Sequence, residues 1–252
     1  ITTNMNTPYS FLLGILAAAI LAAIVGVLIG IPTLRLRGDY LAIATLGLAE
    51  IIRILVLNLE FTGGARGLDS IPQYTNWTWL FIFTTGTIII IKNFIASSHG
   101  RACISIREDE IAAESVGINT TKYKVLAFVI GAFFAGIAGA LYSSYFYYIE
   151  PNLFGFLKSI DILVIVVLGR IGSITGSILA SILLAFISTY LQAFAELRMV
   201  IYSIMLLLIM IFKPQGLMGA KEFKGLDTFF TRKCWQNSSL SSYFKKNKGR
   251  LI

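Results

Sequence analysis

Two places in the sequence hold charged side chains at spacings that could do chemistry. Glu50 and Arg53 stand inside the apolar run LAIATLGLAEIIRILVLN, residues 41–58. Their i, i+3 spacing puts both on one face of a helix. A charged pair in such a run either fixes helix packing as an intramembrane ion pair or lines a translocation path for a polar solute. The second place is SIREDEIAAESVGI, residues 105–118, where Arg107, Glu108, Asp109, Glu110 and Glu114 crowd around Ala112 and Ala113. The chain as a whole is only 13% charged.

Read as one helix, residues 105–118 have three sides. Glu108, Ile111 and Ser115 align with Ile104, while Arg107, Glu110 and Glu114 share a second face. Ala112, Ala113 and Val116 keep the third side small and apolar. Arg107 and Glu110 could pair at i, i+3, whereas Glu110 and Glu114 repel mildly at i, i+4. Gly117 followed by Asn119 reads as a helix stop. Two readings remain open from spacing alone. The helix is a solvated cap on a loop, or it docks into a partner's groove, with the alanines letting it sink and the acids meeting basic residues.

Neither cluster is catalytic. The chain has no His-Glu-x-x-His and no Gly-x-Ser-x-Gly, and GRIGSITG lacks the Gly-Lys-Ser/Thr ending of a phosphate loop. Its one histidine, His99, offers no metal cluster. Asp39, beside Arg37 and Gly38, reads as a helix N-cap or an interface residue rather than an acid catalyst. The expectation is a transporter or channel, not an enzyme.

The elements that position these residues are transmembrane helices. The chain is 56% hydrophobic, with a mean hydropathy of +0.79. About 20 apolar helical residues cross a bilayer. Such runs fall near 10–34, 40–59, 77–95, 125–148, 177–194 and 199–212, with a short broken or re-entrant piece near 156–168. The expected fold is all-α, a polytopic bundle of about six spans plus that short helix. Gly26 and Gly30 in the first run, and Ala132, Gly136 and Ala140 in the fourth, form small-residue faces for close helix packing. Trp77 and Trp79 read as interfacial anchors.

The net charge of +8 does not indicate nucleic-acid binding. The basic residues sit at span ends and in the tail, as in a protein marking its cytoplasmic side. Residues 96–124 and the tail 220–252 are therefore read as cytoplasmic, and the tail as a contact for anionic lipid headgroups. Cys103 and Cys234 then fall in a reducing compartment, where no structural disulfide is expected. No basic leader precedes the first run, so it reads as a mature span.

Several motifs in order carry a resemblance: RLRGDYLAIATLGLAEIIRI, TGGARGL, GRACISIREDEIAAESVGINTTKYKVLAFVIGAFFAGIAGALY and FKPQGLMG. Together they resemble the permease subunit of ATP-binding-cassette importers for branched-chain amino acids, the LivM type, from about Gly30 to Gly219. The resemblance implies a permease domain over 1–219 and a multi-pass protein of the bacterial inner membrane with a cytoplasmic C-terminus. It also implies the partners: a second homologous permease, two ATP-binding subunits and an extracytoplasmic substrate-binding protein. No cofactor is expected in this chain, since the partners would use ATP and Mg. The segment from Arg107 to Gly117 looks like the coupling helix that enters an ATPase groove. The family pattern has further spans, with a glycine-rich motif, ahead of the matching region; that motif does not occur here, so N-terminal spans are expected to be lacking. A urea or amide permease of the same type is the nearest alternative. An ion-coupled carrier with Glu50 and Arg53 in its path is the more distant one.

Overall fold

The structure is a computed structural model that describes residues 8–36, 38–69, 71–190 and 204. Every extended element among them is helical: α1 Pro8–Thr33, α2 Asp39–Asn58, α3 Trp77–Ala96, α4 Ser98–Glu108, α5 Glu110–Ser115, α6 Thr120–Phe146, α7 Phe156–Gly169 and α8 Ile174–Tyr190. Among the described residues, five helical stretches are long and apolar enough to cross a membrane, and α8 is a shorter apolar helix. Apart from residue 204, the expected span 199–212 lies outside the described residues, as do the FKPQGLMG motif and the basic tail 220–252. The described part divides into two compact units, the second beginning at Ile160 inside α7.

The first unit is built on a seam between α1 and α6. Phe11, Ile15 and Ala19 are buried along α1, each a helical turn after the last. The two small-residue faces seen in the sequence turn out to be partners. A Cβ placed on Gly136 would lie 2.8 Å from the Ala18 carbonyl oxygen, 2.8 Å from the Ala22 methyl and 2.9 Å from Ala19 Cα. A Cβ on Gly26 would lie 2.8 Å from that of Ala132. Rising numbers in α6 meet falling numbers in α1, so the helices are antiparallel. Lipid provides little hydrophobic drive between helices, and close backbone packing of this kind supplies the contact energy instead.

Phe11, Ile15 and Leu141 form the buried cluster at one end of the seam. Trp79 joins it: its ring meets Phe11 edge-on at 5.9 Å and stacks on Phe83 at 6.0 Å. Trp77 is 80% exposed, the outward position expected of an anchor, and Trp79 is half-buried. At this end the α2–α3 connection is bound to the chain leaving α6. Leu68 and Ile149 exchange backbone hydrogen bonds of 2.9 and 3.2 Å, and the Ile71 amide donates to the Tyr147 carbonyl. The Tyr148 hydroxyl donates to Glu150 at 2.8 Å. These ties place both loops at the same end of the bundle, as alternation of spans requires.

In the second unit, the break expected between residues 169 and 176 is present but shorter. α7 ends at Gly169 and α8 begins at Ile174. The Ser173 hydroxyl accepts from the Gly176 amide at 3.1 Å and starts α8. Val164 and Leu184 form the buried contact between the two helices.

Candidate functional site

The acidic stretch is not one helix. α4 ends at Glu108, and Asp109 is extended (φ −153, ψ 112). The Asp109 carboxylate accepts from the amides of Ile111 at 2.9 Å and Ala112 at 3.0 Å. An aspartate satisfies amides at a helix start better than it propagates a helix, because its short side chain competes for nearby backbone groups. A local signal of this was present: an aspartate immediately before Glu110-Ile111-Ala112.

The other end of α5 is as expected. Gly117 has φ +87, a left-handed conformation that costs glycine little. Its amide donates to the Glu114 carbonyl at 3.0 Å, and the Ile118 amide donates to Ala113 at 3.1 Å. These paired bonds satisfy the last carbonyls of the helix. Asn119 then caps α6, accepting from the Lys122 amide at 3.0 Å. α6 starts at Thr120, five residues before the expected span start at Val125, so Lys122 and Lys124 belong to the helix.

Capping at both ends makes α5 a separate six-residue rod. Replacing Asp109 by alanine is expected to cost about 1 kcal/mol. The measurement is amide hydrogen exchange, which should rise at Ile111 and Ala112 and leave the middle of α6 unchanged.

The charges sort differently from the wheel. Arg107 pairs with its neighbour Glu108 rather than with Glu110. Glu110 instead pairs with Lys124 of α6, with Nζ to Oε2 at 2.7 Å. The helix wheel could not show a partner beyond its own helix. Of the small side, only Ala113 is buried and Val116 is 75% exposed, while Ile111 on the first face is 76% exposed. Exposure of a large apolar residue on a span meets lipid, but α5 lies outside the candidate spans.

α4 packs on the same base of α6. The Cys103 thiol donates to the Tyr123 carbonyl at 3.8 Å, and the His99 and Tyr123 rings lie 6.0 Å apart. Burial pushes the Cys103 thiol up from its ordinary value. A raised pKa leaves less thiolate at any given pH, and the thiolate is the nucleophile. In a C234S background, maleimide labelling of Cys103 is expected to be slower than that of free cysteine at pH 7. Its rate should rise with pH through a midpoint above that of the free thiol.

Glu50 and Arg53 do share a face of α2 and pair with each other. Arg53 Nε lies 3.0 Å from both carboxylate oxygens. Arg53 Nη1 also donates to Asn152 Oδ1 at 2.9 Å, in the turn Pro151–Phe154. Nothing in the sequence singled out Asn152. The pair borders a pocket of about 250 Å³, shared with Leu46, Phe154, Phe156 and Ser159. Asp39 is the first helical residue of α2 rather than its cap; Gly38 occupies the cap position and has no side chain to accept from the helix amides. Among the described residues, no group of three or more His, Cys, Asp and Glu side chains could hold a metal ion.

Comparison with known proteins gives a consistent result. The family model described as "Branched-chain amino acid transport system / permease component" matches residues 1–210. The chain is 37% identical to the high-affinity branched-chain amino acid transport system permease protein LivM of Escherichia coli K12, over 80% of this chain and 56% of that protein. The LivM of Salmonella typhimurium is 36% identical with the same coverage. The permease protein LivH of Escherichia coli K12 is 32% identical, over 65% of this chain and 59% of that protein. The chain thus spans a little over half the length of the LivM proteins it matches. No solved structure gives a significant match. With several membrane-crossing helices and a family match over most of its length, this chain is a multi-pass membrane protein that belongs to the permease-component family of branched-chain amino acid transport systems.

Proposed function

We propose that this chain is the membrane-spanning part of an ATP-driven importer of leucine, isoleucine and valine. The observation that supports this most is its similarity to permeases whose names specify high-affinity branched-chain amino acid transport. Similarity to both LivM and LivH of one organism supports pairing with a second, homologous permease to enclose the path. ATP would be hydrolysed, with Mg, by two partner subunits. A binding protein would deliver the amino acid on the outer side.

The sidedness follows from charge. Lys92, Arg101, Arg107, Lys122 and Lys124 gather at the end of the bundle that carries α4 and α5, and basic residues favour the cytoplasm. The loops joined through Leu68 and Ile149 are then extracytoplasmic. In this orientation α5 meets the ATPase subunits, with Ile111 and Val116 entering an apolar groove. Glu108, Asp109, Glu110 and Glu114 surround that contact, and Arg107 lies behind it. The Glu50–Arg53 pair joins α2 to the extracytoplasmic turn at Asn152, a packing role that keeps the charges of the span neutralised.

Substrate class is tested by uptake in a strain lacking its own branched-chain amino acid importers and expressing the complete system. Labelled leucine is expected to accumulate and to be displaced by isoleucine and valine. Accumulation of urea, with leucine excluded, would assign the system to amide transport instead.

A further inference from the structure

The geometry points to the Glu110–Lys124 ion pair as the strut that makes α5 and α6 move as one body, with Glu110 a positioning residue and not a contact for the ATPase. The inference rests on the proposed docking of α5 and refines what its acids do.

α5 is flanked by two breaks. Asp109 is extended on one side, and Gly117 is left-handed on the other. A short rod between two such points can pivot when pushed. Its C-terminal end is continuous with α6 through Ile118 and Asn119, so force there reaches α6 along the backbone. Its N-terminal end reaches α6 along the chain only indirectly, through the extended Asp109 and α4. Glu110 is the first residue of α5, at the end farthest along the chain from α6. Lys124 closes the gap at 2.7 Å, with side-chain exposures of 25% for Lys124 and 29% for Glu110.

The rod is therefore held to α6 at both ends, by covalent chain at one and by the ion pair at the other. Partial burial shields the pair from solvent and salt more than a surface pair would be. The pair also neutralises Lys124, one turn into α6, and turns the Glu110 carboxylate toward that helix. Beyond Lys124, α6 runs directly into the packed seam at Ala132 and Gly136 against α1. A push on α5 thereby reaches the pair of spans that pack most closely in the first unit.

The test is a charge-swap cycle in the complete transporter, reconstituted with its ATPase and binding-protein partners. E110K and K124E are each expected to retain ATPase subunits on co-purification within about twofold. Each is expected to lower labelled-leucine uptake per ATP hydrolysed by about tenfold. The double variant E110K/K124E re-forms the pair in reverse and is expected to recover to within about threefold of wild type, a non-additivity that only directly coupled residues show. A neutral pair, E110Q/K124M, covers misfolding of the single variants. It removes both charges of the pair together, and is expected to keep assembly and to remain uncoupled.

Failure of the double swap to recover, or coupled transport by E110Q/K124M, would overturn the strut. Loss of ATPase subunits in E110K but not in K124E would instead make Glu110 a direct contact. I111D distinguishes these outcomes from failure of the docking proposal itself. If I111D keeps its ATPase subunits, α5 is not the docking element, whatever the swap shows.

Discussion

Replacing Gly136 by leucine is expected to prevent α1 and α6 from closing, with loss of about 3 kcal/mol or more and little folded protein recovered from the membrane. Even the first added carbon would lie within 2.9 Å of α1 backbone atoms, Ala18 O and Ala19 Cα. A flexible side chain could move aside, but helix backbone cannot, so the whole helix would have to retreat. In lipid that retreat is not repaid by burying apolar surface elsewhere, since the tails are as apolar as leucine. Gly131 is the internal control. It lies in the same helix, and a Cβ there meets nothing within 4 Å. G131L is expected to stay folded and to gain a little from better helix propensity. Thermal unfolding in detergent, followed by size-exclusion recovery, should separate the two by roughly 10 °C.

Replacing Ile111 by aspartate is expected to release the ATPase subunits while leaving the permease folded. Ile111 is 76% exposed, and substitutions at such positions rarely change stability by more than about 0.5 kcal/mol. Its side chain is nevertheless large, apolar and outside the spans, which suits an anchor in a partner's pocket. Loss of a central anchor typically costs 2 kcal/mol or more, about a thirtyfold weakening of association. V116D should behave similarly. The check is the ratio of ATPase to permease after purification in mild detergent, set beside an unchanged melting temperature. A variant that melts early would point to packing instead.

What the sequence revealed depended on the range of each signal. Hydropathy is a sum over about twenty residues, so α1, α2 and α3 emerge within a residue or two of their expected bounds. Small-residue spacing marks Gly26, Ala132 and Gly136 as contact faces, yet it does not say which face meets which. The antiparallel match of α1 with α6 needed coordinates. The anchor rule concerns composition at an interface and is silent on packing, so it does not show the contacts of the Trp79 ring with Phe11 and Phe83.

The acidic stretch shows the same limit at shorter range. Arg, Glu and Ala all favour helix, so propensity runs the helix through Asp109. The capping bonds to Ile111 and Ala112 override that preference and divide it in two. The stop at Gly117 was visible because it rests on glycine's own backbone freedom. Lys124 and Asn152 were not, because ion-pair and hydrogen-bond partners from other elements leave no periodic trace. Two acids that look equivalent on a helical wheel, Glu110 and Glu114, are thereby given different surroundings, only the first facing Lys124.

The proposed uptake, powered by ATP in partner subunits, is measured with labelled leucine in proteoliposomes holding the complete permease pair and its ATPase subunits, with binding protein on the substrate side and ATP on the other. Uptake is expected to require ATP, Mg and binding protein together, to persist without any ion gradient, and to be abolished by I111D. Leucine accumulation driven by an ion gradient, by the permease alone and without ATP, would contradict it.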